Sequence, residues 1–141
     1  MKYVLDASVA LRWALPGPLS GKAMTLRDDY LNKVHELIAP DIFPAEAASA
    51  LTKAERQKLI GVGDATILFG KIATACPVLH SYFPLTARAI DISSRTRSAF
   101  YDCLYVALAE QEGCELVTAD TKMVNSLQKD FPFLTSLASM P

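Results

Sequence analysis

The chain contains no apolar run of about 18 residues, the length a membrane-spanning helix needs, so the reading is of a protein that does not cross a membrane. Near the N-terminus, Tyr3-Val4-Leu5 meets Asp6 and then Arg12, where a secretory signal needs an unbroken apolar core. The expectation is a cytoplasmic protein whose mature form begins at Met1. Cysteine is scarce: Cys76, Cys103 and Cys114 are odd in number and lack C-x-x-C spacing. That argues against a disulfide framework and a zinc site, and leaves three small core residues in a reducing compartment. Histidine is scarcer, with His35 and His80 in different elements and no local serine or cysteine nucleophile signature beside either. No glycine-rich phosphate loop is present. A basic excess is missing too, since the net charge is −1. This does not exclude a nucleic-acid partner, because acids set aside to hold a metal leave the remainder net positive.

What is present is ordinary globular material. With 51% apolar and 21% charged residues over 141 positions, the chain can bury a core as one domain spanning 1–141. Short apolar runs alternate with helical patterns, which predicts an α/β domain around a mostly parallel central sheet. Strands are expected at 3–5, 37–39, 78–82, 115–118 and 133–134. Helices are expected at 8–15, 20–37, 44–59, 64–75, 85–94, 98–111 and 121–129. Asp64 and Ser98 are placed as helix caps, and Gly113 as a helix terminator.

Four acids stand out. Asp6 follows the first strand, where parallel sheets place their ligand chemistry, or it caps the next helix. Ser8 is placed to orient that carboxylate or to be the cap itself. Glu46 lies in the first turn of its helix, a position the helix dipole favours on its own, but its neighbours Ala47, Ala48, Ala50 and Leu51 are apolar. Asp102 is the only charge between Ala99 and Ala109. A carboxylate in so apolar a helix is costly unless paired, protonated or bound to a cation. Asp120 follows the strand 115–118 and repeats the geometry of Asp6, and Thr118 is placed to supply an orienting hydroxyl. Two acids at strand ends and two at helix starts can converge on one point. Asp28, Asp29, Glu110 and Glu112 read as solvated helix faces, and Asp41 as a turn. Lys53, Arg56, Lys58, Arg95, Arg97 and Lys122 are either substrate-facing charge or plain surface.

These segments together resemble the PIN-domain family and its VapC-like toxin branch. The matching pieces are Val4-Leu5-Asp6-Ala7-Ser8, Ala39-Pro40-Asp41 with Glu46 and Leu51, the run from Tyr101 to Ala109, and Leu116-Val117-Thr118-Ala119-Asp120. They occur in the family's order over nearly the whole chain. The resemblance implies a three-layer α/β/α domain, with Mg²⁺ or Mn²⁺ held by Asp6, Glu46, Asp102 and Asp120. It further implies Ser8 and Thr118 as supporting hydroxyls and RNA cleavage to 5′-phosphate and 3′-hydroxyl products. A homodimer and a cognate antitoxin partner are implied as well. One departure is Ser49, where many members carry asparagine. Oxygen-only ligands suit Mg²⁺ or Mn²⁺ over zinc or copper, and such an ion supplies both water activation and charge neutralisation for phosphodiester hydrolysis.

Three rivals are weaker. A phosphoacceptor receiver domain would need paired acids after the first strand, and an aspartyl phosphatase a second aspartate where Ser8 stands. A catalytically silent PIN-fold module that binds RNA or protein would not need all four acids.

Overall fold

Residues 3–5, 37–39 and 116–117 are all 6% exposed or less, and their continuous apolar character marks strands covered on both faces. The computed structural model, which describes Met1–Pro141, places them in the centre of a five-stranded sheet. Its strands are β1 (Lys2–Leu5), β2 (Glu36–Pro40), β3 (Val78–His80), β4 (Glu115–Thr118) and β5 (Leu134–Ser136). The order is β3-β2-β1-β4-β5 and every pairing is parallel. Helices α1 (Ala7–Ala14) and α2 (Ser20–Leu31) lead from β1 to β2, and α3 (Phe43–Arg56) and α4 (Asp64–Ala73) from β2 to β3. Helices α5 (Thr86–Thr96) and α6 (Phe100–Glu112) cross back to β4, and α7 (Thr121–Leu127) leads to β5.

The chain therefore steps outward from β1 to β3, then reverses to the other side of β1. Because parallel crossovers are right-handed, the reversal moves the connecting helices to the opposite face of the sheet. The result is the three-layer α/β/α architecture, with 35 buried residues in one continuous core. The reversal opens a crevice beyond the carboxyl ends of β1 and β4, the usual place for ligands in an open parallel sheet.

Several boundaries differ from the sequence reading. Helix α2 stops at Leu31 instead of reaching Leu37. Lys33 takes a left-handed conformation (φ 61°), and the Val34 amide bonds back to the Asp29 carbonyl at 2.8 Å. The Glu36 amide then bonds the Met1 carbonyl just ahead of β1. Leu37 is buried by the sheet while Val34 is 57% exposed, so the spacing that suggested a longer helix was coincidental. Strand β3 and helix α7 are also shorter than expected, and β5 is Leu134–Ser136.

Neither expected cap forms. Gly63 precedes α4, and the Asp64 carboxylate instead accepts the Gly61 amide at 2.7 Å. The free amide of Ala65 is taken by Glu55 Oε2 from α3 at 2.8 Å. Ala99, not Ser98, occupies the cap position of α6, and the Ser98 hydroxyl is buried without a partner. Gly113 does end α6, at φ 63°. Among the cysteines only Cys103 is fully buried, and all three are free thiols, with Cys76 and Cys114 packed partly against the core.

Candidate active site

In a parallel sheet, each helix that follows a strand starts at the carboxyl edge, and so does α6, which runs back antiparallel to β4. Asp6 precedes α1, Glu46 lies in the first turn of α3, Asp102 in the first turn of α6, and Asp120 caps α7. Four helix N-termini, each carrying partial positive charge, thus bring an acid to one edge.

Asp6 is only 6% exposed, and burial raises its pKa; neighbouring hydroxyls pull it back and the charge of Asp120 pushes it further up. Its side chain makes no capping bond to α1. Both Ser8 Oγ and Thr118 Oγ1 (2.9 Å) donate to Asp6 Oδ2. Those hydroxyls are fixed in turn by backbone amides, Ala119 N–H to Ser8 Oγ at 3.0 Å and Asp120 N–H to Thr118 Oγ1 at 3.1 Å. One carboxylate oxygen is thereby clamped between β1 and β4, while no side chain donates to the other. Asp120 Oδ1 accepts the Lys122 and Met123 amides at 3.0 and 3.4 Å. The capping reading is thus true of Asp120 and leaves its second oxygen unspent. Thr118 bonds Asp6 and not the side chain of Asp120.

Asp102 is pushed up to about 7 by burial first, then by the charges of Asp6, Asp120 and Glu46. It is the one group that feels all three of the others. Glu46 is raised by burial and by Asp6, and lowered by a hydrogen bond from Tyr105. As the side chains stand, no three potential ligands close tightly around one point. The four acids form a loose cluster coupled through charge. An all-carboxylate donor set with this mutual repulsion suits a hard divalent cation and no soft one.

Tyr105 joins the cluster without any sign of it in the sequence reading above. Fully buried, it lies three residues after Asp102 on the same face of α6, and its hydroxyl donates to Glu46 Oε1 at 2.7 Å. Burial, followed by the charges of Asp6 and Glu46, holds its phenol well above the ordinary range and so keeps it a donor. A lone hydroxyl-bearing side chain in the apolar run after Asp102 was the available signal.

The acids read as helix faces or a turn are occupied elsewhere. Glu110 makes a bidentate pair with Arg88, Glu112 pairs with Lys2, and Asp28 with Arg27. Asp29 faces His35, and Asp41 Oδ1 accepts the Tyr82 amide. Arg95 is spent on Asp91, whereas Lys53, Arg56, Lys58, Arg97 and Lys122 form no ion pair. The largest cavity, about 600 Å³, opens by Met1, Lys2 and Glu112, away from the acids. A smaller one of about 490 Å³ abuts Glu46.

The fold and this edge define a class. The PIN domain profile matches residues 3–126, and the chain belongs to the PIN domain family. It is similar to Ribonuclease VapC3 of Pyrobaculum aerophilum, 29% identical over 138 residues, covering 96% of this chain and 99% of that protein. Its fold matches the crystal structure of PAE2754 from Pyrobaculum aerophilum at TM-score 0.70 and 20% identity, across 99% of this chain and 94% of that one.

Proposed function

We propose that the chain is a metal-dependent endoribonuclease and the toxin of a toxin–antitoxin pair, acting in the cytoplasm. The proposed Mg²⁺ or Mn²⁺ ligands are Asp6, Glu46, Asp102 and Asp120, with Ser8 and Thr118 fixing Asp6. The observation that carries this reading is Asp102: its carboxyl is raised to about 7 by burial and by three other acids, a concentration of like charge that a bound cation relieves. Similarity over almost the full length to a protein named as a ribonuclease supports the substrate class.

A divalent ion at such a site supplies water activation and neutralises charge on the phosphoryl group. The chain's own residues do the positioning. Ser8 and Thr118 hold Asp6 on one oxygen, Tyr105 holds Glu46 on one oxygen, and the α7 amides hold Asp120 on one oxygen. Each of these three acids thus keeps an oxygen for the ion at little further ordering cost.

RNA incubated with the purified protein is expected to be cleaved in Mg²⁺ or Mn²⁺, and excess EDTA is expected to stop it. Full activity in EDTA would overturn the metal reading.

No helix is long and apolar enough to cross a membrane. Along the β3 edge, Val78, Leu79, Tyr82 and Phe83 are 59, 41, 40 and 78% exposed. Such apolar exposure supports a homodimer. Sedimentation at tens of micromolar is expected to show a dimer, and monomer alone would count against it. The antitoxin is expected to be encoded beside the gene.

A further inference from the structure

We propose that the groove of about 490 Å³ beside Glu46 is a nucleotide subsite, which takes one unstacked base of single-stranded RNA next to the scissile phosphate. This rests on the ribonuclease reading and goes beyond it by assigning residues to substrate choice. The groove runs between α3 and the start of α6. Glu46, one of the four acids, lines it, and Tyr101 on its other wall directly precedes Asp102, so the groove adjoins the acid cluster.

Glu46, Ser49 or Ala50, and Lys53 recur at three- and four-residue intervals, which puts acid, small residue and cation on one stripe of α3. The small side chains of Ser49 and Ala50 open the space. Lys53 is exposed and forms no ion pair, although a strongly acidic cluster lies at the other end of the groove. A polyanion approaching that cluster needs such a charge.

Tyr101 completes the site. It is 56% exposed and its hydroxyl makes no hydrogen bond; its one aromatic partner is Phe100, at 5.8 Å and tilted by 57°. That leaves an aromatic face for a base. Sequence-tolerant recognition of single strands is built from aromatic stacking with a nearby phosphate-binding cation. A peptide or a second copy of the chain would use the apolar wall but has no call for a cation beside an acid cluster.

The test uses single-stranded RNA oligonucleotides carrying one 2-aminopurine, moved stepwise along the strand. Its fluorescence reports stacking. Binding is read in Ca²⁺ and cleavage in Mg²⁺, for wild type, Tyr101→Ala, Tyr101→Phe and Lys53→Gln. Quenching is expected at one position flanking the cut in wild type and Tyr101→Phe, and is expected to vanish in Tyr101→Ala. KM is expected to rise roughly tenfold in Tyr101→Ala, with kcat much less affected. Lys53→Gln should lower the slope of log affinity against log salt by about 1. Quenching that survives Tyr101→Ala, or a change of oligomeric state with KM unmoved, would overturn the subsite. Position-specific quenching without any cleavage would retain the subsite and refute the nuclease. Absence of RNA binding would remove both.

Discussion

Asp102→Asn is expected to reduce RNA cleavage by about a hundredfold or more while making the metal-free protein more stable at pH 7. The first effect follows from removing one ligand of the proposed ion, whose charge stabilisation amounts to several kcal/mol of the barrier. The second follows from the raised pKa, about 7 in the folded protein against an ordinary 3.8. Between those values the native state binds a proton that the unfolded chain does not, so stability from this group is complete below about pH 4 and lost as pH rises through 7. Asparagine never ionises. The mutant's advantage over wild type therefore grows across that range, reaching about 0.5–2 kcal/mol, a figure kept small because Asp102 is only partly buried and water screens it.

Mg²⁺ should reverse the order, stabilising wild type and barely affecting the mutant. Thermal melts at pH 4.5, 6 and 7.5, with and without Mg²⁺, measure all of this beside a cleavage assay. A first-turn acid serving only the helix dipole predicts the opposite: a destabilised mutant that still cuts RNA. That outcome would remove Asp102 from the site.

Tyr105→Phe is expected to raise the Mg²⁺ concentration for half-maximal cleavage by about 10–100-fold, the usual range when a residue that orients a ligand is lost. The change keeps the ring and deletes only the hydroxyl that donates to Glu46 Oε1 at 2.7 Å. That bond lowers the pKa of Glu46 against burial and the charge of Asp6, so removing it raises the pKa further. The acidic limb of the pH–activity profile should move to higher pH, which simple loss of packing would not produce. An unchanged metal titration together with an unchanged profile would show Tyr105 to be core filling alone.

Much of the fold was legible because it depends on local chemistry. Continuous apolar runs at 3–5, 37–39 and 116–117 read as buried strands, and Gly113 could end α6 because glycine tolerates a positive φ. The failures occurred where two local signals competed. Residues 32–37 satisfy a helical spacing and a strand start equally well, and pairing of Glu36–Pro40 with β1 decided for the strand. Ser98 has the chemistry of a cap, but the left-handed turn at Arg97 (φ 59°) delivers Ala99 to that position instead.

For the candidate site the division is sharper. The sequence by itself determined which acids were anomalous, since an isolated charge among apolar neighbours, such as Asp102, is costly wherever the chain places it. It determined also that Asp6 and Asp120 end strands, and that Ser8 and Thr118 stand close enough in the chain to serve them. Only the tertiary structure decided which acid each hydroxyl serves. Parallel pairing of β1 with β4 brings Thr118 against the Asp6 carboxylate, 112 residues away, while it meets its own neighbour Asp120 only through that residue's amide. Only the tertiary structure brought Tyr105 to Glu46, 59 residues distant. The physical reason is reach: a side chain's own cost is set by its covalent neighbours, whereas its partners across β1, α3, α6 and β4 are set by the order in which strands pair.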